Sequence, residues 1–472
     1  MTISKRGLWP AVGAWLVFMA SGATLAATLV AGAQILPVHE LHEYHLFDEL
    51  RRYRFFDLKV YRRAAEIVSH GRPLYAAKLR HGLGFTYPPL AVLLFLGLQW
   101  LSIGRDELMV TAINVALVAV IAHMALRLRR PGSAHRRGRG ELRRPRLTAT
   151  GWLIAAVALW AEPVMTAIGY GQIDLLITAC VVVDLVHGRR SRAGGLGIGL
   201  AAALKLTPLI FIPYLALTGR RRMAGRALTV FALSIVVALA VVPGDATTYW
   251  FGGKFMDLSR VTGAKHLAGS GAANQSLRGA LLRILPGTGH VTLIWLLACV
   301  VVGGVALPLA VRAARRGDEA YGFMLVGLTG LLICPVSWTH HWTIAVAGAI
   351  ALIASRDHPV RSALRAIAAG AFVLSSSAIW LVIVLGPGHH PGVTRLLLGN
   401  LYVFIGLGAI AGAALRELNH GLRRRVSAPP LTSSHLVPAG SPFNSALPGH
   451  PGAAVRAITP SQALAPDRQS LR

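Results

Sequence analysis

The chain has 472 residues, 54% of them hydrophobic and 14% charged, with a mean hydropathy of +0.55, an apolar excess that argues against a soluble domain and for a membrane protein. A formal net charge of +29 would suit a nucleic-acid binder, but the charge is almost all arginine packed into short segments between apolar runs, not interleaved with aromatics on a folded face. Cys180, Cys299 and Cys334 are too widely spaced for a disulfide framework or a zinc pattern, and no GxxxxGK[ST] loop is present to drive work with ATP.

In chain order, apolar runs at 8–31, 108–126, 226–242, 291–311, 366–385 and 396–415 each approach the roughly 20 residues needed to cross a hydrocarbon core. Shorter or interrupted runs lie at 147–160, 173–187, 195–218, 320–333 and 342–355. The first run has the basic start of a secretory signal but is long and is followed by more spans, so it reads as a retained first span. Lys5 and Arg6 keep the N-terminus inside, and residues 127–146 hold nine arginines. With the basic clusters at 189–192, 220–222, 312–316, 356–365 and 423–425, that segment belongs on the cytoplasmic side. Loops 33–88 and 243–290 then face outward, and 89–103 is left as a segment that dips or lies in the interface. The 195–218 run has basic loops on both sides and Pro208 in its middle, which predicts a hairpin entering and leaving on the cytoplasmic face. The membrane domain is expected over 1–425, followed by a disordered, Pro/Ser/Ala/Gly-rich cytoplasmic tail over 426–472.

The polar residues that this map leaves near the outer face are the informative ones, because unexplained charge beside a bilayer is costly. Asp57, in the first outer loop, is a carboxylate beside an apolar surface, where desolvation makes it more basic; a helix cap or a salt bridge to Lys59 or Arg54 is the structural alternative. Tyr61, Tyr75 and Tyr87 are either an aromatic wall against a sugar or an interfacial belt. Lys205, inside an apolar run beside the Pro208 break, needs an anion such as a lipid phosphate, or else snorkels to the cytoplasm. Asn274, Gln275 and Arg278 in the large outer loop suit a sugar or phosphate, or cap the loop. His340 and His341, flanked by Trp338 and Trp342, offer contacts to a metal or a phosphate, and adjacent histidines on a helix diverge, so one is expected to face a site. His389 and His390 read as solvated.

Seven motifs in order carry a resemblance: Asp57 to Tyr61, G-x-P-L-Y at 71–75, F-T-Y-P-P at 85–89, G-Y-G-Q at 169–172, K-x-x-P at 205–208, N-Q-S-L-R-G at 274–279 and S-W-T-H-H-W at 337–342. They resemble the polyprenol-phosphate-mannose-dependent α-(1→2)-mannosyltransferases of actinobacteria, glycosyltransferase family 87, over the chain from the first span to about 415. The resemblance implies an all-α polytopic GT-C-type transmembrane helix bundle whose first outer loop carries the catalytic aspartate. It further implies inverting transfer of mannose from a polyprenyl-phosphate-mannose donor to a hydroxyl of a mannolipid or mannan, outside the plasma membrane and with both termini cytoplasmic. Asp57 would be the base; Lys205, Arg278, His340 and His341 would meet the donor phosphate; Tyr61, Tyr87, Gln172, Asn274 and Gln275 would bind sugar or acceptor. Many GT-C enzymes of other families pair two acids in the first outer loop around a divalent metal, whereas Asp57 has no acidic neighbour until Glu66, so no metal or other cofactor is expected; Asp174 and Glu162 are the acids able to approach in space. Two other readings stay open: the same fold with a polyprenyl-phosphate arabinose donor, and a lipid or solute transporter, against which the lack of an internal repeat counts.

Overall fold

The computed structural model describes residues 5–30, 54–79, 84–128, 148–188, 191–257, 271–353 and 392–426. The predicted span at 366–385, the arginine-rich segment from 129 to 146, His389 and His390, and the tail from 427 lie outside the described residues. Among the described residues the fold is helical, and the only bridge between extended segments is an isolated one joining Asn274 to Trp338. The chain divides into residues 1–420 and 421–472, and of the second unit only the end of one helix is described.

The membrane bundle opens with α1 (Lys5–Val30), followed by α2 (Phe56–Ser69), α3 (Pro89–Phe95) and α4 (Ile103–Ala125). α3 continues as a 3-10 turn to Trp100, and the whole Pro89–Trp100 stretch is too short to span, in keeping with the dipping segment expected there. α5 (Ala149–Ala158) and α6 (Glu162–Tyr170) meet at a 71° bend, with Pro163 in the first turn of α6, where its missing N–H leaves no hydrogen bond unmade. After α7 (Asp174–His187) come α8 (Leu196–Leu204), α9 (Phe211–Leu217), α10 (Arg221–Val241) and α11 (Pro243–Trp250). α12 (Leu277–Ile284), α13 (Val291–Arg315), α14 (Glu319–Ile333), α15 (Thr343–Ile353), α16 (Gly392–Gly399) and α17 (Leu401–Val426) complete the described chain.

Helices α4, α10, α13 and the Leu401–Asn419 part of α17 are long and apolar enough to cross a bilayer, and the bent α5–α6 pair would make a fifth crossing. Their outward faces carry exposed leucine and valine, including Leu228, Leu233 and Val236 on α10 and Leu293, Leu297 and Val300 on α13. Water does not tolerate such stripes; lipid does.

The 195–218 segment is a hairpin. Asp184, near the end of α7, accepts the backbone N–H groups of Gly195 and Ile198, both at 2.9 Å, and so caps the start of α8. The Gly194 carbonyl accepts from Arg226 of α10 at 3.0 Å, while α9 runs directly into α10 through Arg220. Both feet of the hairpin therefore stand at the N-terminal, arginine-rich end of α10, and its tip, the Lys205–Pro208 break, lies about 15 Å away at the helical rise of 1.5 Å per residue. Asp174, at the opposite end of α7 from Asp184, meets that tip.

Two buried clusters result. The larger joins α1, α4–α10, α12–α15 and α17; the smaller gathers Phe55, Leu58 and Tyr61 of the α2 region with Tyr75, Phe85, Tyr87 and Phe95, and includes Leu204 and Tyr249. Ile173 packs against both, so the 169–174 segment runs along the seam between them.

Candidate active site

α2 is held rigidly at its start. Phe55 adopts a left-handed backbone (φ 48°), uncommon for a bulky residue, and its N–H donates to the Gly169 carbonyl at 2.8 Å. Gly171 (φ 68°) forms the C-cap of α6, and a Cβ there would stand 2.8 Å from the Leu58 Cβ. Gly171→Ala is therefore expected to cost about 1–3 kcal/mol of stability through the left-handed backbone alone and to push Leu58, and with it the neighbouring Asp57, out of register; a thermal melt beside an activity assay checks both. The basic side chains of the α2 region point away from the site: Arg54 pairs with Glu107 at 2.9 Å, Lys59 lies 3.9 Å from the same carboxylate, and Arg62 pairs with Asp106. The ion-pair alternative for Asp57 is not realised among the described residues, where Arg54 and Lys59 approach Glu107 of α4 instead.

Asp57 sits half-buried in the first turn of α2. Burial raises its pKa to about 7; a side-chain hydrogen bond from Gln172 and the charge of Lys205 oppose that rise, and the charge of Asp174 adds to it. A carboxylate that is ionised near neutrality and still basic fits general-base work.

Gln172 is the hub. The Tyr61 hydroxyl donates to its Oε1 at 2.6 Å and the Tyr87 hydroxyl at 2.9 Å, while its Nε2 lies 3.2 Å from Nε2 of His340. Tyr61 stacks on Phe95 (4.1 Å, 4°), and Tyr75 donates to the Tyr87 carbonyl at 2.8 Å. These rings are buried. The aromatic wall considered for Tyr61, Tyr75 and Tyr87 is thus core packing, with the Tyr61 and Tyr87 hydroxyls turned inward to the Gln172 amide, and burial of these two phenols pushes their pKa values well above the usual range.

Across Gln172 lies the cationic side. Lys205, on extended backbone at the hairpin tip, places its Nζ 2.6 Å from Asp174 Oδ1 and 5.7 Å from the Tyr87 ring centre. Asp174 Oδ2 and His341 Nδ1 are buried with no hydrogen-bond partner among the described residues. The rings of His340 and His341 stand edge to face at 4.7 Å in a 3-10 turn (Thr339–Trp342), and each brings a nitrogen within 4.8 Å of Asp174. Contrary to the expected divergence, both histidines face the group: His340 toward Gln172, and His341 toward a cavity it lines with Asp174, Lys205, Thr207, Phe211 and Leu331. Asp174, His340 and His341 form a metal-capable set. The Lys205 ammonium is already seated on Asp174, so a cation is in place there without a metal.

Three sequence candidates stand apart. Asn274 and Gln275 are wholly buried and hold backbone. Asn274 Oδ1 accepts from the N–H groups of Ser276 and Ser337 (3.3 and 2.9 Å); Gln275 donates to the carbonyls of Ala272 and Gly399 (2.5 and 2.7 Å) and accepts from Tyr402 N–H at 3.0 Å. Their amides pin the 271–276 segment to the 337–342 turn and to the start of α17, the loop-capping alternative. Arg278 makes no ion pair or hydrogen bond to the Lys205 group among the described residues, although its Nε is buried without a partner. Sequence reasoning left Asp174 as a bare possibility and overlooked Asn114, whose Nδ2 donates to the Gln172 carbonyl at 3.2 Å. The proximity of Asp174 to Gln172 in G-Y-G-Q-I-D was the available signal for the first; Asn114 inside a long apolar helix was the signal for the second. Glu162 is engaged elsewhere, accepting from Thr166 (2.9 Å) and Tyr402 (2.7 Å).

A helical membrane bundle with a basic carboxylate facing a buried cationic cluster defines a membrane-embedded enzyme built for group transfer. The chain belongs to glycosyltransferase family 87, whose model matches residues 85–335. It is 32% identical over 436 residues, 86% of this chain and 91% of the relative, to a "polyprenol-phosphate-mannose-dependent alpha-(1-2)-phosphatidylinositol mannoside mannosyltransferase" of Mycolicibacterium smegmatis. A Mycobacterium tuberculosis protein of the same description is 29% identical over 372 residues, 76% of this chain and 84% of its own. A "phosphatidylinositol pentamannoside mannosyltransferase" of M. tuberculosis is 33% identical over 315 residues, 65% and 67% of the two chains. Among solved structures, ArnT from Cupriavidus metallidurans bound to undecaprenyl phosphate aligns over 87% of this chain and 77% of its own at 15% identity, with a TM-score of 0.37, too slight a likeness to bear on the chemistry. The family match includes Gln172, Asp174 and Lys205, while Asp57, His340 and His341 lie outside the matched residues.

Proposed function

We propose that the protein transfers mannose from a polyprenyl-phosphate-mannose donor to a hydroxyl of a phosphatidylinositol-mannoside-type lipid, forming an α-(1→2) linkage with inversion, at the outer face of the plasma membrane. The observation that carries this reading is the separation of a basic carboxylate, Asp57, from the Lys205–His340–His341 cluster by one amide, Gln172. In the transfer the acceptor hydroxyl attacks the anomeric carbon as the bond from that carbon to the phosphate oxygen breaks. Asp57 takes the hydroxyl proton, and the departing polyprenyl phosphate gains its charge beside Lys205 and the histidines. The donor and acceptor classes come from the relatives' names; the chemistry of the site accommodates both. The outer location is supported by α7, which leads from Asp174 toward the arginine-rich 188–192 segment, so the site and the basic loops stand at opposite ends of that helix.

The test is transfer by the purified protein in lipid, with radiolabelled polyprenyl-phosphate mannose, the arabinose analogue and a panel of mannolipid acceptors. Labelled mannolipid is expected, with no incorporation from the arabinose donor. Because Lys205 supplies the positive charge, the rate is expected to survive EDTA; loss with EDTA and recovery with a divalent ion would give that role to a metal on Asp174 and the two histidines. Movement of lipid between leaflets with no transfer would make the protein a transporter.

A further inference from the structure

Among the described residues, Asp174, His340 and His341 are the one group of three side chains able to ligate a metal, with one ligand atom of each within 4.8 Å of the other two. They come from two segments, the start of α7 and the Thr339–Trp342 turn, and two of their atoms are unused: Asp174 Oδ2 and His341 Nδ1 are buried without a hydrogen-bond partner among the described residues. Such atoms cost stability until something meets them. Asp174 is 4% exposed, and it lines one cavity together with His341 and Lys205. Those two are half-buried and give access to it. The donor set selects the ion. Two imidazole nitrogens and a carboxylate oxygen suit zinc, cobalt and nickel, whereas magnesium and calcium prefer shells of oxygen. Tetrahedral bonds of about 2.1 Å set ligand atoms about 3.4 Å apart, so the three need to draw in by about 1.4 Å at most from 4.8 Å, a matter of side-chain rotation. Against the ion stands Lys205, whose Nζ is 2.6 Å from Asp174 Oδ1. An ammonium and a dication on one carboxylate repel each other, so they are alternative occupants, and the flexible lysine stem lets the ammonium swing away.

We propose that Asp174, His340 and His341 form an inhibitory site for a divalent ion of the zinc class, which displaces the Lys205 ammonium from Asp174. The ion-free protein is the working form. With the ion in place, the ammonium and both imidazoles are withdrawn from the phosphate they would meet, and transfer stops. The inhibition rests on the proposed function; the binding does not.

Cobalt(II) is the probe, because its visible absorption bands report nitrogen ligation directly. The purified protein in lipid is titrated with Co²⁺ while the spectrum, the melting temperature and mannosyl transfer are followed. Visible bands and a raised melting temperature are expected, and Mg²⁺ should produce no rise in melting temperature and no inhibition. At ten times the Kd read from the bands only about a tenth of the protein is ion-free, so transfer is expected to fall about tenfold. The chain has 18 histidines, so the bands are assigned by substitution. Asp174→Asn and His341→Gln are each expected to weaken binding by at least the roughly 10–100-fold that loss of an outer partner costs a metal site; bands that persist unweakened in both place the ion on other histidines and overturn the proposal. Should these variants fail to fold, Lys205→Met decides: with the competing ammonium gone it is expected to bind Co²⁺ about tenfold more tightly than the parent, and equal or weaker binding overturns the proposal. Transfer that rises with the ion bound overturns the inhibition. A protein that transfers mannose and shows no cobalt bands overturns the site and leaves the function standing; one that shows the bands and transfers nothing upholds the site and sinks the function.

Discussion

Asp57→Asn is expected to reduce mannosyl transfer about 10²–10⁴-fold, the usual contribution of a positioned general base, while leaving the protein folded. Asparagine keeps the shape and still receives the Gln172 amide, but it cannot take the acceptor proton. In the parent the rate should climb with pH through about 7, where Asp57 loses its proton. The same shift makes a stability prediction of opposite sense. The folded-state pKa lies above the ordinary carboxylate value of 3.8, so between 3.8 and about 7 the native state holds a proton that the unfolded chain has released. Stability therefore falls as pH rises through that window, and the penalty is complete above about 7. Asp57→Asn removes it, so the inactive variant should melt higher than the parent on the alkaline side, and the two should converge below the window. A variant that melts no higher than the parent at alkaline pH would remove the case for a desolvated, basic Asp57, and retained transfer would remove the base assignment.

Lys205→Met is expected to damage both stability and chemistry, and a second substitution separates the two. Lys205 and Asp174 form a buried pair at 2.6 Å, and the other oxygen of Asp174 has no partner among the described residues. Taking away the ammonium strands a buried carboxylate, a loss of about 3–5 kcal/mol. Adding Asp174→Asn removes the stranded charge and should restore most of the melting temperature. Transfer should stay about 10²–10³-fold below the parent in the double variant, the scale of losing one preorganised group at a developing charge. If the double variant regains transfer, Lys205 serves only to neutralise Asp174, and the leaving phosphate is met elsewhere.

What could be read from the sequence follows from which forces are local. The long apolar helices α4, α10, α13 and α17 announce themselves because a bilayer demands unbroken hydrophobic length. The 195–218 hairpin was legible from Pro208 and the basic residues on both sides, since a proline break and a flanking arginine cluster each act on their own segment. The short helices α5–α7 were harder to place. They run at a bend or stop at the site instead of spanning, and only tertiary cover makes such interruptions affordable at membrane depth.

For the site, residue type alone singled out Asp57, Lys205 and the His340–His341 pair, because charge and imidazole near an apolar bundle demand a reason. Whether a polar side chain faces a ligand or closes a loop depends on partners far away in the chain. Asn274 and Gln275 looked the same as Gln172 on paper; the first two hold loop backbone, whereas Gln172 is met by Tyr61, Tyr87 and His340 from three different segments. Thus the membrane class, the spans and the list of chemically unusual residues were in the sequence, since hydrophobic length and misplaced charge are local properties. The raised basicity of Asp57, the Asp174–Lys205 pair and the hub at Gln172 came only with the tertiary structure, because desolvation and hydrogen bonding depend on what the fold brings within a few ångströms.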